Sequence, residues 1–391
     1  MPLQLDRRNT TALGRWWWTV DRSSFIAMLL LIIIGFFLVI AGSPPVARRL
    51  RYNDMYFVTR HQIYLAISTV TMVIVSMLEV QRIRRLAVLG FALSLLLLML
   101  LPFVGFENKG AIRWLRLGPI TMQPSEFMKP CFAIVLAWVF SARFHFPKFP
   151  SYTLAIILYV IVAALLIMQP DFGMAVTVTG MFAVQFFLAG MPFFWVFATM
   201  GMGVFGIIGA YQMLPHVASR IDRFLDPASG DNYQVDKSIE AFKHGGLLGR
   251  GPGEGLVKLH IPDSHTDFIF SVAGEEFGLL FCLMIIAIFA FIVVRGFLKL
   301  GREHDMFTLI AVGGLLTQFG IQAMVNMGVA VDLLPAKGMT LPFLSYGGSS
   351  MVAIAGGMGM MLALTKKRYG QKATRRRAKV NFASKTANNA K

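Results

Sequence analysis

The stretch SFIAMLLLIIIGFFLVI, Ser24 to Ile40, carries no charged side chain. A bilayer core takes about 20 residues of helix to cross, so an apolar run of this kind is a span or a deeply buried helix. Composition decides between the two. The chain has 391 residues, is 56% hydrophobic and only 15% charged, which is a membrane composition rather than a soluble one. Similar runs recur to the C-terminus. They place ten spans at about 24–42, 61–79, 86–104, 126–142, 152–168, 174–190, 193–214, 268–294, 306–331 and 346–365. The expected fold is all-α: a polytopic membrane protein of about ten transmembrane helices. A large extracytoplasmic loop, 215–267, separates helices 7 and 8. Residues 1–23 read as a polar tail, 24–366 as the membrane domain and 367–391 as a basic, disordered tail. No cleavable signal is evident, and the first run has the length of a stay-in anchor.

An even number of spans puts both termini on one side. The formal net charge is +17, and most of the 37 Lys and Arg residues fall on that side, in the tails and three short loops. The positive-inside rule then makes the termini cytoplasmic and the 215–267 loop external. Arg48, Arg49, Arg51 and Arg60 dissent by falling outside. The C-terminal basic run, Lys366 to Arg377, reads as a topology signal beside anionic lipid, not as a nucleic-acid site. No internal repeat stands out, which disfavours an inverted-repeat transporter. Cys131 and Cys282 lie inside spans and read as small buried hydrophobes.

Chemistry in such a protein belongs where polar groups gather against the bilayer. Four clusters do so, all on the outer side. The first joins Asn108–Trp114 to Gln123–Lys129. Pro124 and Ser125 mark a helix start, with Ser125 as a candidate N-cap. Glu126 and Lys129 share a helix face. Either they form an interfacial ion pair beside an aromatic anchor, Trp114, or Arg113 and Lys129 grip an anionic headgroup. The second cluster is the turn Gln169–Gly173, in which Asp171 is placed to cap the next helix.

The third cluster is the long loop, with Tyr233–Ser238 and then the glycine-rich Gly245–Gly255 around Arg250. It lacks the Gly-Lys-Ser/Thr ending and the spacing of a phosphate loop. Close backbone packing or a sharp turn accounts for its glycines better. His244, His260, Asp263, His265 and Asp267 match no zinc spacing, so no tightly bound cofactor is expected. A divalent cation, Mg²⁺ or Mn²⁺, shared with a phosphate substrate needs few protein ligands. The fourth cluster runs from Leu334 through Lys337 and Ser345 to Ser350, where small residues suit close helix packing.

Where the long loop re-enters the membrane, the sequence reads Pro262-Asp263-Ser264-His265-Thr266-Asp267-Phe268-Ile269-Phe270. Asp267 there is expected in the first turn of an apolar helix, within reach of both water and lipid. Glu275 and Glu276 lie two turns further on. Buried acids in a membrane helix are costly and are candidates for function by default.

Taken together, in this order and on ten spans, these motifs resemble the SEDS family of shape, elongation, division and sporulation proteins. The matching pieces are Gly110–Trp114, Gln123–Lys129, Gln169–Gly173, Gly249–Gly251, Pro262–Phe270 with Glu275-Glu276, and Leu341–Ser350. The form Ala336–Phe343 is nearer the division branch than the elongation branch. Lys237 and Pro252 depart from the family pattern.

The resemblance implies a peptidoglycan glycosyltransferase at the outer face of the bacterial cytoplasmic membrane. Its substrates are lipid II and undecaprenyl-pyrophosphate-linked glycan. Asp267 carries the catalytic role on this reading. Arg113, Trp114, Glu126, Lys129, Asp171, Arg250, His265, Lys337 and Ser345 surround the substrate, with Glu275 and Glu276 in support. The implied partners are a class B penicillin-binding protein, other division proteins and membrane lipids. Two alternatives stand beside it: a lipid II flippase without bond chemistry, and a scaffold for division proteins. Polar groups through the whole bilayer depth would favour the flippase, and clusters at one face favour the enzyme.

Overall fold

The computed structural model describes residues 11–366, apart from 109–110, 119, 170, 336–337 and most of 193–232. Among the described residues, eleven α-helices and one small sheet form. Seven helices are long and apolar enough to span a membrane: α2 (Arg22–Arg49), α3 (Tyr56–Met77), α4 (Val80–Val104), α5 (Pro124–Ala142), α6 (Ser151–Met168), α9 (Ile269–Leu300) and α10 (Met306–Ala330). Two shorter apolar helices, α7 (Phe172–Leu188) and α11 (Ser349–Leu364), complete the bundle. Nine of the ten expected spans thus coincide with helices. The other, 193–214, lies largely outside the described residues, as do loop residues 215–232 and the tail beyond Lys366.

Sequence reading missed three features. Within the N-terminal segment read as a tail, α1 (Ala12–Thr19) forms and packs on the bundle. Trp16 donates its indole N–H to Ser76 Oγ at 2.7 Å and meets Phe25 edge-on. Next, the segment after α4 folds into an antiparallel sheet of β1 (Phe106–Asn108), β2 (Ala111–Leu117) and β3 (Ile120–Met122), in that order. A polar helix, α8 (Tyr233–Gly245), also precedes α9 and packs along it.

α5 and α10 form the centre. Their faces are buried nearly all round, whereas α3, α4, α6 and α9 turn large apolar side chains outward, as lipid-facing helices do. α11 packs against α3 more extensively than any other pair of elements. The tightest approach comes from Gly359, against the Met72 backbone; Gly348, in the stretch expected to supply it, lies against the Tyr64 ring of α3, and Gly357 packs on α5 and α10.

Two breaks in regular backbone decide the shape of the outer end. The first lies inside α9, where Gly278 has φ 78° and ψ −178° and splits the helix. The loop after α8 enters that break. Leu279 and Leu280 donate to the Gly246 and Leu247 carbonyls at 2.9 and 3.2 Å. Arg250 and Gly251 donate to the Glu275 and Glu276 carbonyls at 3.0 Å each. A Cβ on Gly249 would overlap the Glu276 carbonyl, so the glycines permit contact between two backbones. The second break is Leu341–Ser345. It was expected as part of an exposed turn, but it dips into the bundle. Leu341, Phe343 and Leu344 are fully buried, and Phe343 reaches the middles of α2 and α10, at Gly35 and Phe319. α11 therefore starts below the surface, which accounts for its 16 residues.

Replacing Gly249 with Ala should lower the melting temperature of the purified protein more than Gly253→Ala does. Both positions have positive φ, which costs a residue with Cβ about 1–3 kcal/mol. Only Gly249 also faces a backbone carbonyl, whereas nothing lies near Gly253. Equal shifts in thermal unfolding would mean that the loop does not dock in the helix break.

Candidate functional site

Asp267 stands in a turn, two residues before α9 begins, and not in its first helical turn as expected. Its neighbours are tightly fixed. Ser264 Oγ donates to the Gly42 carbonyl of α2 at 2.9 Å. The buried His265 ring lies between Phe57 and Tyr346, with centroids at 4.6 and 5.4 Å, and its carbonyl accepts from Tyr346 N at 2.9 Å. Phe268 is buried as well. Asp267 itself stays half-buried, with Oδ2 beside Gly338. The turn thus carries two half-buried carboxylates, Asp267 and Asp263, the latter accepting from Gln234 Nε2 at 3.4 Å, while Ser264, His265 and Phe268 act as anchors. His265, expected beside the substrate, is one of those anchors.

A buried amide completes the arrangement. Asn326 of α10 donates to the Asp267 carbonyl at 2.8 Å and to the Met339 carbonyl at 2.6 Å. One helical turn away, Gln322 donates to the Thr340 carbonyl at 3.1 Å and accepts from Lys129 Nζ at 3.0 Å. Lys129 also pairs with Glu126 at 2.8 Å, and all three side chains are buried. The expected Glu126–Lys129 pair therefore exists. Its ammonium is held inside the bundle and makes no surface grip on a headgroup. Gln322 and Asn326 escaped the sequence reading; their i, i+4 spacing in an otherwise apolar helix was the available signal.

Around Asp171 a second polar group forms. Gln123 Nε2 donates to Asp171 Oδ2 at 3.0 Å, and Met174 N donates to Oδ1 at 3.4 Å, which is the capping role expected. Arg113 of β2 reaches Asp171 at 3.8 Å and donates through Nε to the Gln169 carbonyl at 3.0 Å. Burial pushes the Asp171 carboxyl above the usual carboxylate range, and the Arg113 charge pulls it back. Asp171 is thus a hub between elements. Gln123, not Ser125, is the N-cap of α5, because Pro124 takes the first helical position; Ser125 Oγ lies buried without a hydrogen bond. Trp114 is half-buried on β2, in register with Phe106.

The polar groups are connected through 339–350. Gln123 N donates to Ser349 Oγ at 3.3 Å, and Thr340 Oγ1 bonds Ser350 Oγ at 3.0 Å. Ser345, expected near substrate, is buried and accepts from Leu341 N at 2.8 Å, closing the inward turn. Lys337 lies outside the described residues, next to Gly338.

Glu275 and Glu276, expected in a supporting role, both hold the long loop. Glu275 is fully buried, and its carboxylate accepts from Leu256, Val257 and Lys258 N–H at 2.7, 2.7 and 2.8 Å. It caps the short 3₁₀ turn Val257–His260. Glu276 pairs with Lys258. Arg250 is exposed beside them, its Nε donating to the His244 carbonyl at 3.0 Å. These bonds fasten the glycine-rich loop to α9. Among the described residues no three His, Cys, Asp or Glu gather as a metal site.

Removing Lys129 alone strands the Glu126 charge. Lys129→Met should therefore destabilise the protein by about 3–5 kcal/mol, and Glu126→Gln with Lys129→Met should recover much of the loss. Thermal melts of the two single variants and the double variant test this. Additive losses would show that the pair is not coupled.

Comparison with known proteins follows this geometry closely. The family model described as "Cell cycle protein", covering FtsW, RodA and SpoVE, matches residues 21–370. A Caulobacter vibrioides protein named "Probable peptidoglycan glycosyltransferase FtsW" is 44% identical over 365 residues, covering 93% of this chain and 94% of its own. A Geobacter metallireducens protein of the same name is 35% identical, covering 84% and 90%. Among solved structures, one titled as a peptidoglycan synthase complex that coordinates polymerization and crosslinking superposes with TM-score 0.73 at 27% identity, over 90% of this chain and 99% of that one. RodA of Thermus thermophilus, a rod shape determining protein, gives TM-score 0.68 at 26% identity, over 91% and 99%. Matched by the family model over residues 21–370 and by a relative at 44% identity over 93% of its length, this multi-pass membrane chain belongs to the cell cycle protein family of FtsW, RodA and SpoVE.

Proposed function

We propose that the protein is a peptidoglycan glycosyltransferase, acting in division, that polymerises lipid II at the outer face of the cytoplasmic membrane. The observation that carries this reading is Asp267: a half-exposed carboxylate in a turn fixed by Ser264, His265 and Asn326, at the boundary of a lipid-facing helix. The names of the relatives agree with it.

The chemistry is a displacement at the anomeric carbon of a lipid-linked glycan. A sugar hydroxyl of a second lipid II attacks that carbon. Asp267 takes the hydroxyl proton, the bond from carbon to pyrophosphate oxygen breaks, and undecaprenyl pyrophosphate leaves with the electron pair. A single base without a second carboxylate nucleophile fits one inverting step. Negative charge grows on the pyrophosphate, so cations placed around it lower the barrier. Arg113 and Arg250 are the partly or fully exposed candidates. Lys129 acts from inside, through the field of its buried pair with Glu126. The described residues do not make a ligand set for a resident metal, so a divalent cation would arrive with the pyrophosphate, and no step here depends on it.

A flippase fits less well. In the described spans, every charged side chain sits within eight residues of a helix end, and none lines the middle. The outer-side arginines that dissented from the charge rule have local work. Arg48 pairs with Asp54 at 2.7 Å, and Arg49 bonds the Leu259 and Ile261 carbonyls of the long loop. In this proposal the termini are cytoplasmic and a class B penicillin-binding protein supplies crosslinking.

Asp267→Asn keeps the shape of the turn and removes the base, so lipid II polymerisation by purified protein should fall by about 10²–10⁴. The melting temperature should hardly move. Near-normal polymerisation would end the assignment. Topology has its own check. A cysteine introduced at Ser229 should react with an impermeant thiol reagent in spheroplasts, and one at Ser384 should not. The reverse pattern would put Asp267 in the cytoplasm.

A further inference from the structure

The end of the bundle opposite Asp267 holds a feature that glycan synthesis does not use. Two adjoining cavities open there, of about 200 and 430 Å³, and both are walled by Arg295 and Lys299 of α9. The smaller is completed by Trp18, Asp21 and Arg22, at the junction of α1 and α2. The larger adds Arg302 and the apolar side chains Phe291, Val294 and Leu298.

The charges there do not balance. Asp21 is the one carboxylate lining either cavity, and it is already engaged. Lys299 Nζ lies 2.6 Å from it, Arg295 3.2 Å, and Ser24 donates to it at 2.5 Å. Burial pushes its carboxyl up, but the bonds from Lys299, Ser24 and Arg295 outweigh that and hold it below the usual range. The two cavities together are thus lined by four cations and a single carboxylate. Arg22 lies over the Trp18 ring at 4.8 Å, which keeps it at the cavity edge.

Geometry then selects the ligand. Arg295 and Lys299 are one turn apart on one face of α9, and Arg302, in the turn just after the helix ends, lines the same cavity. Phe291, Val294 and Leu298 line the same cavity and extend along α9 away from its end. Their side chains are 45%, 55% and 71% exposed. An unfilled positive rim at a helix end, continuous with an apolar strip running into the membrane, is complementary to a molecule with an anionic head and hydrocarbon tails. Soluble phosphate would use the rim and leave the strip bare. Zwitterionic lipid would use the strip and leave the charge unmatched.

We infer that this junction of α1, α2 and α9 is a binding site for an anionic diacyl glycerophospholipid. The phosphodiester sits against Arg302, Lys299 and Arg22, and the acyl chains lie along Phe291, Val294 and Leu298. The site ties α1 to the far end of the helix whose outer end carries the Asp267 turn. It is independent of the proposed chemistry.

Native mass spectrometry tests it, with the full chain released from nanodiscs of mixed phosphatidylglycerol and phosphatidylcholine. The expected result is retained phosphatidylglycerol in preference to phosphatidylcholine. Arg22→Gln with Arg302→Gln should reduce that retention about fivefold per charge removed. Neither arginine pairs with Asp21, so an unchanged melting temperature in phosphatidylcholine alone verifies the fold of the variant. Equal retention of the two lipids, or undiminished retention by the variant, would overturn the inference. So would displacement of phosphatidylglycerol by excess glycerol 3-phosphate, which would reassign the site to a soluble anion.

Discussion

Hydrocarbon offers no hydrogen bonds, so every interruption of a helix inside the bundle must find partners within the protein. That constraint governs the outer half of this molecule. α9 breaks at Gly278, and the chain answers with a loop whose backbone bonds to both sides of the break. The 341–345 segment abandons helix altogether, and Ser345, Gln322 and Asn326 satisfy the polar groups of 339–341. Irregular backbone persists at this depth because it is buried in protein. These two breaks are also what bring residues far apart in sequence to one place: the 246–260 loop to α9, and Gly338 to Asp267.

α10 links the pieces. It is apolar along most of its length, yet it carries Gln322 and Asn326 one turn apart. The two amides touch the Lys129–Glu126 pair, the inward turn and the carbonyl of Asp267. A shift of α10 along its axis would move all three together. Neutral amides suit this task, since each makes several directional bonds inside the bundle without adding a charge that needs a partner. The ionic groups nearby, the Lys129–Glu126 pair and the Asp171 hub, each have a neutralising cation close by, as does Glu276 in Lys258.

Much of this was legible in the sequence, for identifiable reasons. Long apolar runs declare spans whatever their neighbours do, so nine helices fell where the runs predicted them. The Glu126–Lys129 spacing fixed their pairing, and Asp171 after a proline fixed its cap. The errors share a cause. Ser125, His265 and Ser345 were read as cap or substrate contacts because polar residues at a membrane edge look available. Whether they face outward depends on contacts with distant segments, such as Phe57 and Tyr346 for His265, and one sequence does not reveal those. The inward turn was hidden likewise: Leu341-Pro342-Phe343-Leu344 reads as a loop from its prolines and glycines, and only its burial against α2 and α10 makes it a core element. The sheet over 106–122 was too short to show a period.

The contrast between Asp267 and Glu275 argues for their separate roles better than either residue does alone. They are eight positions apart, on the approach to α9 and within it, and an acid/base site could in principle use either. Environment separates them. Glu275 is wholly removed from solvent, and its two oxygens are committed to three backbone N–H groups. Taking up a proton there would break the capping of Val257–His260 and loosen the loop it fastens, so each turnover would disturb the fold. Asp267 is only half-buried, and its backbone is held through Asn326 and through the anchors on either side. A carboxylate fixed by its main chain can gain and lose a proton while the turn keeps its shape. That is the property a recurring general base requires, and the buried Glu275 lies one loop behind it, holding the ground still.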